Sequence, residues 1–202
     1  MRIIRSEVLV NTGTFSRTKA FRELRAQVVE AIESVEWPPG SGSFTLRKEL
    51  GKERGQGSGV KPIKDACMVK LESYGWSKEV PLETPAHKRP GNVDAAIQTK
   101  RGLFCVEWET GNISSSHRAL NKLSLGLLTG VVIGGILIVP TREMYKYLTD
   151  RVGNFPELEP YFPVWKALPI LDGFLEVIAI EHDALSDTVD RIPKGTDGRS
   201  LV

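Results

Sequence analysis

The chain has 202 residues, of which 41% are hydrophobic and 26% charged, and this balance is ordinary for a globular protein. Its length favours one domain, spanning residues 1–202, with a core of useful size. Charges at Arg2, Arg5 and Glu7 argue against a secretory signal, so we expect a cytoplasmic protein.

The longest apolar run, Leu123–Pro140, is interrupted by four glycines, and the charged flank pattern of a membrane span does not accompany it. A membrane span needs a more continuous apolar stretch. We therefore interpret the run as a helix end followed by a buried strand, and we predict no membrane partner.

Charge is distributed unevenly, although the formal net charge is only +2. Residues 43–101 contain 12 Lys or Arg and 7 Asp or Glu, whereas residues 151–202 contain 5 and 9. The middle of the chain is thus better suited to face an anionic partner. Within it, the Gly- and Ser-rich segment 40–59 is predicted to be a mobile basic loop, either solvated or ordered by nucleic acid. Its cations are Arg47, Lys48, Lys52 and Arg54.

Helical and alternating apolar patterns follow one another along the chain. The predicted elements are a strand Arg2–Val10, a helix Arg17–Val35 capped by Ser16, a helix Lys61–Gly75, two strands around a turn at Thr99–Gly102, a helix Ser116–Leu128, a strand Val131–Val139, a helix Arg142–Arg151 and a strand Phe174–Ile180. Irregular structure with short turns is predicted for Asn154–Pro169, and a mobile polar tail for residues 183–202. This order predicts an α/β fold with a mixed central sheet flanked by helices.

Three acidic residues fall on the predicted hairpin. Glu107 and Glu109 are two residues apart on its second strand, Leu103–Thr110, so both side chains are expected on one face. Asp94 lies across the turn on the neighbouring strand. Grouped carboxylates repel one another, and their burial is costly unless a cation joins them.

Two interpretations of these acids remain open from their spacing. They could form structural salt bridges or a solvated hairpin, or they could bind a divalent metal. Ligands that are all oxygen select Mg²⁺, Mn²⁺ or Ca²⁺ over Zn²⁺. The natural reaction of such a site is phosphodiester hydrolysis, with Asp94 and Glu107 as ligands and Glu109 orienting or deprotonating water. A hydroxyl-rich loop before a helix N-terminus, which suits a phosphate, favours this second interpretation.

The pattern D-x(12)-E-x-E, formed by Asp94, Glu107 and Glu109, resembles the core of the PD-(D/E)xK nucleases in the form where glutamate replaces the lysine. More of the chain is similar to the BglII, BstYI and BamHI-like group of type II restriction endonucleases. The segments that carry this resemblance are Arg17–Val35, Lys70–Trp76, Phe104–Gly111 and Ile138–Met144.

The resemblance implies a restriction-endonuclease-like fold and a homodimer that cleaves both strands of double-stranded DNA at a short palindromic site. It also implies Mg²⁺ as cofactor, with Mn²⁺ as a substitute, held by Asp94 and Glu107, while Glu109 takes the place of the superfamily lysine. A site centred on GATC is expected on the same ground. So is a cognate methyltransferase, linked to the enzyme genetically rather than physically.

One position departs from the group's pattern. The group tends to place Asn or Glu near the start of the helix before the hairpin, whereas this chain has Lys64 and Asp65 there. We expect Lys64 to assist the scissile phosphate rather than to bind metal. A second metal would then need Asp65 or Glu72 as a ligand.

Polar residues after the acids are suited to DNA. Groups that suit base edges are found at Asn112, Ser114, Ser115, Ser116 and Arg118, and at Thr141 and Arg142, which open a later helix at the same end of the sheet. Groups that suit phosphates are found at Lys61, Lys64, Arg47 and Lys48. For each of them the alternative is an exposed polar residue without a role.

Two other functions remain open. A DNA-binding or interaction module could keep this fold without catalysis, because the superfamily lysine is absent. A repair or junction nuclease of the same superfamily would also share the carboxylates.

Overall fold

The computed structural model describes residues 1–51, 53, 55–85, 90–109, 111–149 and 151–194. The strands are β1 (Arg2–Thr12), β2 (Thr45–Arg47), β3 (Ser77–Pro81), β4 (Asn92–Thr99), β5 (Gly102–Trp108), β6 (Val132–Pro140), β7 (Gly173–Glu181) and β8 (Ala184–Ser186). The α-helices are α1 (Lys19–Glu33), α2 (Lys61–Ser73), α3 (Ile113–Leu128), α4 (Arg142–Tyr145), α5 (Phe155–Leu158) and α6 (Phe162–Lys166).

Six strands form one mixed sheet in the order β1-β7-β6-β5-β4-β3. Strand β6 pairs parallel with β5 on one side and with β7 on the other. The outer pairs are antiparallel: β1 with β7, β4 with β5, and β3 with β4. Every residue of β6 is buried, as is usual for a parallel strand covered on both faces. The predicted α/β class with a mixed, helix-flanked sheet is confirmed.

Each face of the sheet has its own apolar core. On one face, Phe21 and Val28 of α1 and Leu71 of α2 pack with Phe104 of β5. On the other face, Leu120 of α3 belongs to a second cluster, together with residues of α5 and α6. The long helices therefore hold β5 between them, and β5 carries one of the candidate acids.

Several helix ends differ from the prediction. Helix α1 is capped by Thr18, whose hydroxyl accepts from the Phe21 backbone N–H at 3.1 Å, while Ser16 lies in a preceding 3₁₀ turn. Helix α3 begins three residues earlier than expected, because Asn112 caps it. Helix α4 is a single turn instead of the predicted Arg142–Arg151. The short turns predicted within Asn154–Pro169 are helical and occupy most of that segment.

A second, two-stranded sheet lies within the segments predicted as mobile loop and polar tail. Strands β2 and β8 pair parallel, a contact between distant parts of the chain. The loop is also held by hydrogen bonds from Gly51 N to Lys146 O, at 2.8 Å, and from Gly59 N to Ile192 O, at 2.9 Å. Lys52, Arg54 and residues 195–202 lie outside the described residues, and the mobility of both segments stays a prediction.

The long apolar run divides as the sequence predicted. Helix α3 ends at Leu128, and β6 begins at Val132. No helix in the described part of the chain has the length and apolar composition needed to cross a bilayer.

Candidate active site

The hairpin of β4 and β5 brings two of the three acids together. In its antiparallel register Ala95 pairs with Val106, so Asp94 and Glu107 come next toward the same end of the hairpin and lie opposite each other. The Trp108 backbone N–H donates to Asp94 Oδ2 at 2.7 Å and thereby fixes the Asp94 carboxylate at this end of the hairpin.

Glu109 lies one residue beyond the end of β5, not within the strand as predicted. It nevertheless borders the same cavity as Asp94 and Glu107. This cavity of about 260 Å³ is bordered by the carboxylates of Asp94, Glu107 and Glu109. The rest of its lining is Asn92, Trp108, Gly111, Ser115, Arg118, Ala119, Lys122 and Leu137. The structure therefore brings all three predicted acids to one concave site between the hairpin and α3.

Lys64 of α2 is the fourth predicted catalytic residue, and it pairs with Asp94. Its Nζ lies 2.8 Å from Asp94 Oδ1, and neither side chain is more than 18% exposed. Burial lowers the pKa of the Lys64 ammonium, but the hydrogen bond and charge of Asp94 more than offset this, so the pKa is raised. Lys64 therefore remains a cation beside the candidate metal ligand.

Glu107 is the most deeply placed ligand candidate. Its side chain is 9% exposed and contacts the Nζ of Lys122 in α3 as an ion pair. Burial raises the pKa of Glu107 to about 7, and the nearby charge of Lys122 opposes that rise only in part. The Lys122 ammonium acts on the pKa of Glu107 both through its charge and through a hydrogen bond to the carboxylate.

Glu109 is held by two donors from the segment that follows it. The backbone N–H of Gly111 donates to Oε1 at 2.5 Å, and the hydroxyl of Ser116 donates to Oε2. Glu109 and Ser116 are both buried. The carboxylate is thus oriented by the start of α3, because that helix begins at Ile113 and turns Ser116 inward.

Asp94 and Glu107 are chemically suited to hold a divalent metal. Both offer hard oxygen atoms to one cavity, and both side chains are largely buried, at 13% and 9% exposed. The described residues contain no group of three His, Cys, Asp or Glu side chains arranged for a metal. Two carboxylates are nevertheless enough for Mg²⁺, which completes its shell with water and phosphate oxygens.

The predicted DNA-contacting residues of α3 do not all reach the surface. Asn112 and Ser114 are exposed, although the Asn112 side-chain oxygen accepts from the backbone N–H groups of Ser114 and Ser115. Ser115 and the exposed Arg118 border the cavity. Ser116 is fully buried against Glu109. The prediction that Ser116 contacts base edges does not agree with this position, because the hydroxyl already serves the carboxylate.

Thr141, Arg142 and Lys61 lie outside the cavity lining. Thr141 caps α4, and its hydroxyl donates to Glu181 Oε2 at 2.8 Å. Arg142 is exposed and pairs with Glu157 at 3.3 Å. Lys61 is exposed on α2. Lys61 and Arg142 are therefore accessible to a ligand, whereas Thr141 has a clear structural role.

Lys122 borders the cavity but was not among the predicted site residues. This residue is only 11% exposed, and its ammonium contacts both Glu107 and the backbone carbonyl of Asn92. A signal was available, because Lys122 lies four residues after Arg118 and seven after Ser115 on one helical face. Its approach to Glu107 depends on how α3 packs over the sheet, which spacing alone does not define.

Comparisons with known proteins identify the family of the chain and agree with its fold. A family model described as restriction endonuclease BamHI matches residues 1–199. The type II restriction enzyme OkrAI of Oceanobacter kriegii is 48% identical over 201 residues, covering 100% of both chains. The type II restriction enzyme BamHI of Bacillus amyloliquefaciens is 36% identical over 192 residues, covering 92% of this chain and 86% of that relative.

The fold is also similar to a crystal structure of restriction endonuclease BglII complexed with a DNA 16-mer. The TM-score is 0.58 at 9% identity, over 89% of this chain and 79% of that one. The sequence prediction of a type II restriction endonuclease is confirmed by the family match over nearly the whole chain. The chain belongs to the BamHI family of restriction endonucleases and is a site-specific deoxyribonuclease.

Proposed function

We propose that the chain hydrolyses phosphodiester bonds in double-stranded DNA at a short palindromic site, as a homodimer that depends on Mg²⁺. The observation that carries this proposal is the cavity bordered together by Asp94, Glu107 and Glu109. Mn²⁺ substitutes for Mg²⁺, since both prefer oxygen ligands.

Asp94 and Glu107 are the proposed metal ligands. When bound, Mg²⁺ lowers the pKa of water and neutralises charge on the scissile phosphate. The chain prepares the ligands by orienting Asp94 through the Trp108 N–H, at 2.7 Å, and by burying Glu107 in the cavity wall. Burial strengthens the attraction of these carboxylates for a cation.

Glu109 and Lys64 take the remaining chemical roles. Glu109 accepts from Gly111 and Ser116, and these donors orient its carboxylate beside the cavity. Glu109 thus orients the attacking water or takes its proton. Lys64 carries its charge beside Asp94, where it assists the negatively charged scissile phosphate.

Contacts with DNA come from the exposed groups around the cavity. Arg118, on the cavity rim, with Asn112 and Ser114 suits the edges of bases. The exposed cations Lys61 and Lys48 suit phosphates, which position the duplex without selecting its sequence.

Two-fold symmetry of the protein and of its DNA site follow from each other. An apolar surface supports the homodimer: Tyr161 and Val164 are 49% and 63% exposed. The Tyr161 ring packs on His117 of α3 with centroids 4.6 Å apart, so the surface continues onto that helix. A second copy of the chain would cover it. The enzyme would act in the cytoplasm. A cognate methyltransferase, linked to it genetically, would protect the host's own recognition sites from cleavage.

The decisive experiment incubates the protein with phage DNA and Mg²⁺ and compares Glu107→Ala with Glu23→Ala. Glu23 is 58% exposed on α1 and is the matched control. We expect discrete fragments from the wild type and Glu23→Ala and none from Glu107→Ala. Sequencing of the fragment ends should give a palindrome centred on GATC.

Other results of this experiment would contradict the proposal. Specific retardation of DNA without cutting in any divalent metal would identify a binding module that has lost its chemistry. Uniform degradation, or nicking selective for junctions, would identify a nuclease of another kind.

A further inference from the structure

Each proposed metal ligand is paired with a lysine from a helix outside the hairpin. Lys64 of α2 lies 2.8 Å from Asp94, and Lys122 of α3 contacts Glu107. Two ammonium groups therefore stand beside the two carboxylates that the proposed cation would need.

The two ion pairs are built differently. The Lys64 contact is also a directed hydrogen bond to Asp94 Oδ1. The Lys122 ammonium instead contacts two acceptors, the Glu107 carboxylate and the backbone carbonyl of Asn92. Lys122 is thus shared between Asn92 and Glu107.

The ammonium of Lys122 compensates the negative charge of the buried Glu107 carboxylate. Glu107 is 6% exposed, and a buried carboxylate without a cation is costly. A divalent ion bound to Glu107 would repel an ammonium in contact with the same carboxylate. Lysine has four flexible methylene groups, so its head can move toward the exposed Asn92 while it keeps the carbonyl contact.

We propose that Lys122 is a displaceable counter-ion for the metal site, which holds Glu107 in the metal-free enzyme and withdraws when the divalent cation binds. Lys122 is then a positioning residue, and it competes with the metal for one carboxylate. This inference rests on the proposed function, in which Glu107 is a metal ligand.

A purely structural lysine would behave differently. If Lys122 only tied α3 to β4 through Asn92, its loss would destabilise the protein equally with and without metal. A displaceable counter-ion is needed only while the cation is absent. The dependence of the variant's stability on metal therefore separates the two roles.

The test measures thermal unfolding of the full chain without DNA, over a series of Mg²⁺ and, separately, Mn²⁺ concentrations, with calorimetric titration of the same ions. Lys122→Met should lower the metal-free Tm by about 5–10 °C, since it leaves a buried carboxylate unpaired. Saturating metal should remove most of this difference. The variant should also bind the metal about tenfold more tightly than the wild type.

A second variant keeps the test decisive if Lys122→Met does not fold. Lys122→Arg retains the charge, and its guanidinium can form two hydrogen bonds to the Glu107 carboxylate. This variant should therefore bind metal about tenfold more weakly than the wild type. Lys70→Met is the matched control, because Lys70 pairs at 3.1 Å with Glu30 on α1, outside the cavity lining. Its Tm change should be the same with and without metal.

Two results would overturn the inference, and they are distinguishable. Equal metal stabilisation of Lys122→Met and the wild type, or unchanged metal affinity in Lys122→Arg, would make Lys122 a structural tether while the proposed function stands. Failure of the wild type and both variants to bind either ion would remove the metal site itself and the inference with it.

Discussion

The hydroxyl of Ser116, in the first turn of α3, donates a hydrogen bond to Oε2 of Glu109, seven residues earlier in the chain. Both side chains are buried, and the Gly111 backbone N–H donates to the other carboxylate oxygen at 2.5 Å. Two donors on one carboxylate fix its orientation in the cavity that also holds Asp94 and Glu107. The start of a helix therefore positions the group that we propose as the base.

Replacement of Ser116 by alanine tests this arrangement. Loss of the donor should reduce the cleavage rate at saturating DNA and Mg²⁺ by about 10²-fold, because small misplacements of a catalytic group are costly. The free energy of unfolding should fall by about 1.5–3 kcal/mol, the usual value of a hydrogen bond to a charged group. Single-turnover cleavage and urea unfolding measure the two effects.

Ser114→Ala is the matched control for Ser116→Ala. Ser114 lies on the same helical turn but is exposed. Its loss should weaken DNA binding in Ca²⁺ and leave the single-turnover rate unchanged. A wild-type rate in Ser116→Ala would show that the Ser116 hydroxyl is not needed to orient Glu109.

The sequence predicted the parts of this site that local pattern controls. The turn and the alternation of Val106, Glu107 and Trp108 gave the hairpin, and its antiparallel register brings Asp94 beside Glu107. The role of Ser116 was not predicted, because the expected helix began at that residue. Once Asn112 caps the helix, Ser116 falls in its first turn and faces the core.

Contacts between distant segments of the chain could not be predicted from local sequence patterns. Strands β2 and β8 have three residues each, and they pair across more than a hundred positions of the chain. Strand β3 lies at the edge of the sheet, and most of its side chains are exposed, so it lacks the apolar alternation of a half-buried strand. The pairing of Lys122 with Glu107 likewise depends on helix packing.

Lys64 and Lys61 lie on the same helix, α2. We expect replacement of Lys64 to affect the cleavage step and replacement of Lys61 to affect DNA binding. Lys64→Met should reduce the single-turnover cleavage rate by about 10²–10³-fold, since it removes a charge placed beside the scissile phosphate. Lys61 is exposed and pairs with Asp65 at 2.5 Å. Lys61→Met should instead weaken DNA binding, reduce its salt dependence by about one counter-ion and leave the saturated rate intact.

Filter binding across a salt series and cleavage at saturating enzyme are the measurements. A Lys64→Met variant that loses affinity but cleaves normally when bound would make Lys64 a phosphate contact without a part in the chemical step. If both variants lost affinity and cleaved normally when bound, the difference in exposure between Lys64 and Lys61 would not correspond to a difference in role.

Stability of the sheet should depend on an ion pair far from the DNA site. Glu176 of β7 is fully buried and accepts from Arg25 of α1 at 2.8 and 2.6 Å, and from Ser6. Arg25→Met leaves this carboxylate without its cation and should reduce the free energy of unfolding by about 3 kcal/mol, the lower end for a buried pair because Arg25 is 36% exposed. Urea unfolding measures the loss.

The double variant Arg25→Met, Glu176→Met should recover most of that stability, since apolar residues of similar size can replace a buried ion pair at little cost. Arg22→Met is a neutral control, because Arg22 is exposed and donates to the Arg17 carbonyl. A double variant as unstable as Arg25→Met would show that the unpaired charge of Glu176 does not account for the loss.

Sequence readout should depend on Arg118 more than on Arg142. Arg118 is exposed on the rim of the cavity, whereas Arg142 already pairs with Glu157 at 3.3 Å and lies 4.7 Å from the Tyr145 ring centroid. Arg142 must give up these contacts to reach DNA, so its net gain is smaller. Once fragment ends define the site, Arg118→Ala should reduce discrimination against a single changed base pair by about tenfold to hundredfold. Equal losses on the correct and the altered site would instead assign Arg118 to the phosphate backbone, because a phosphate contact carries no information about sequence.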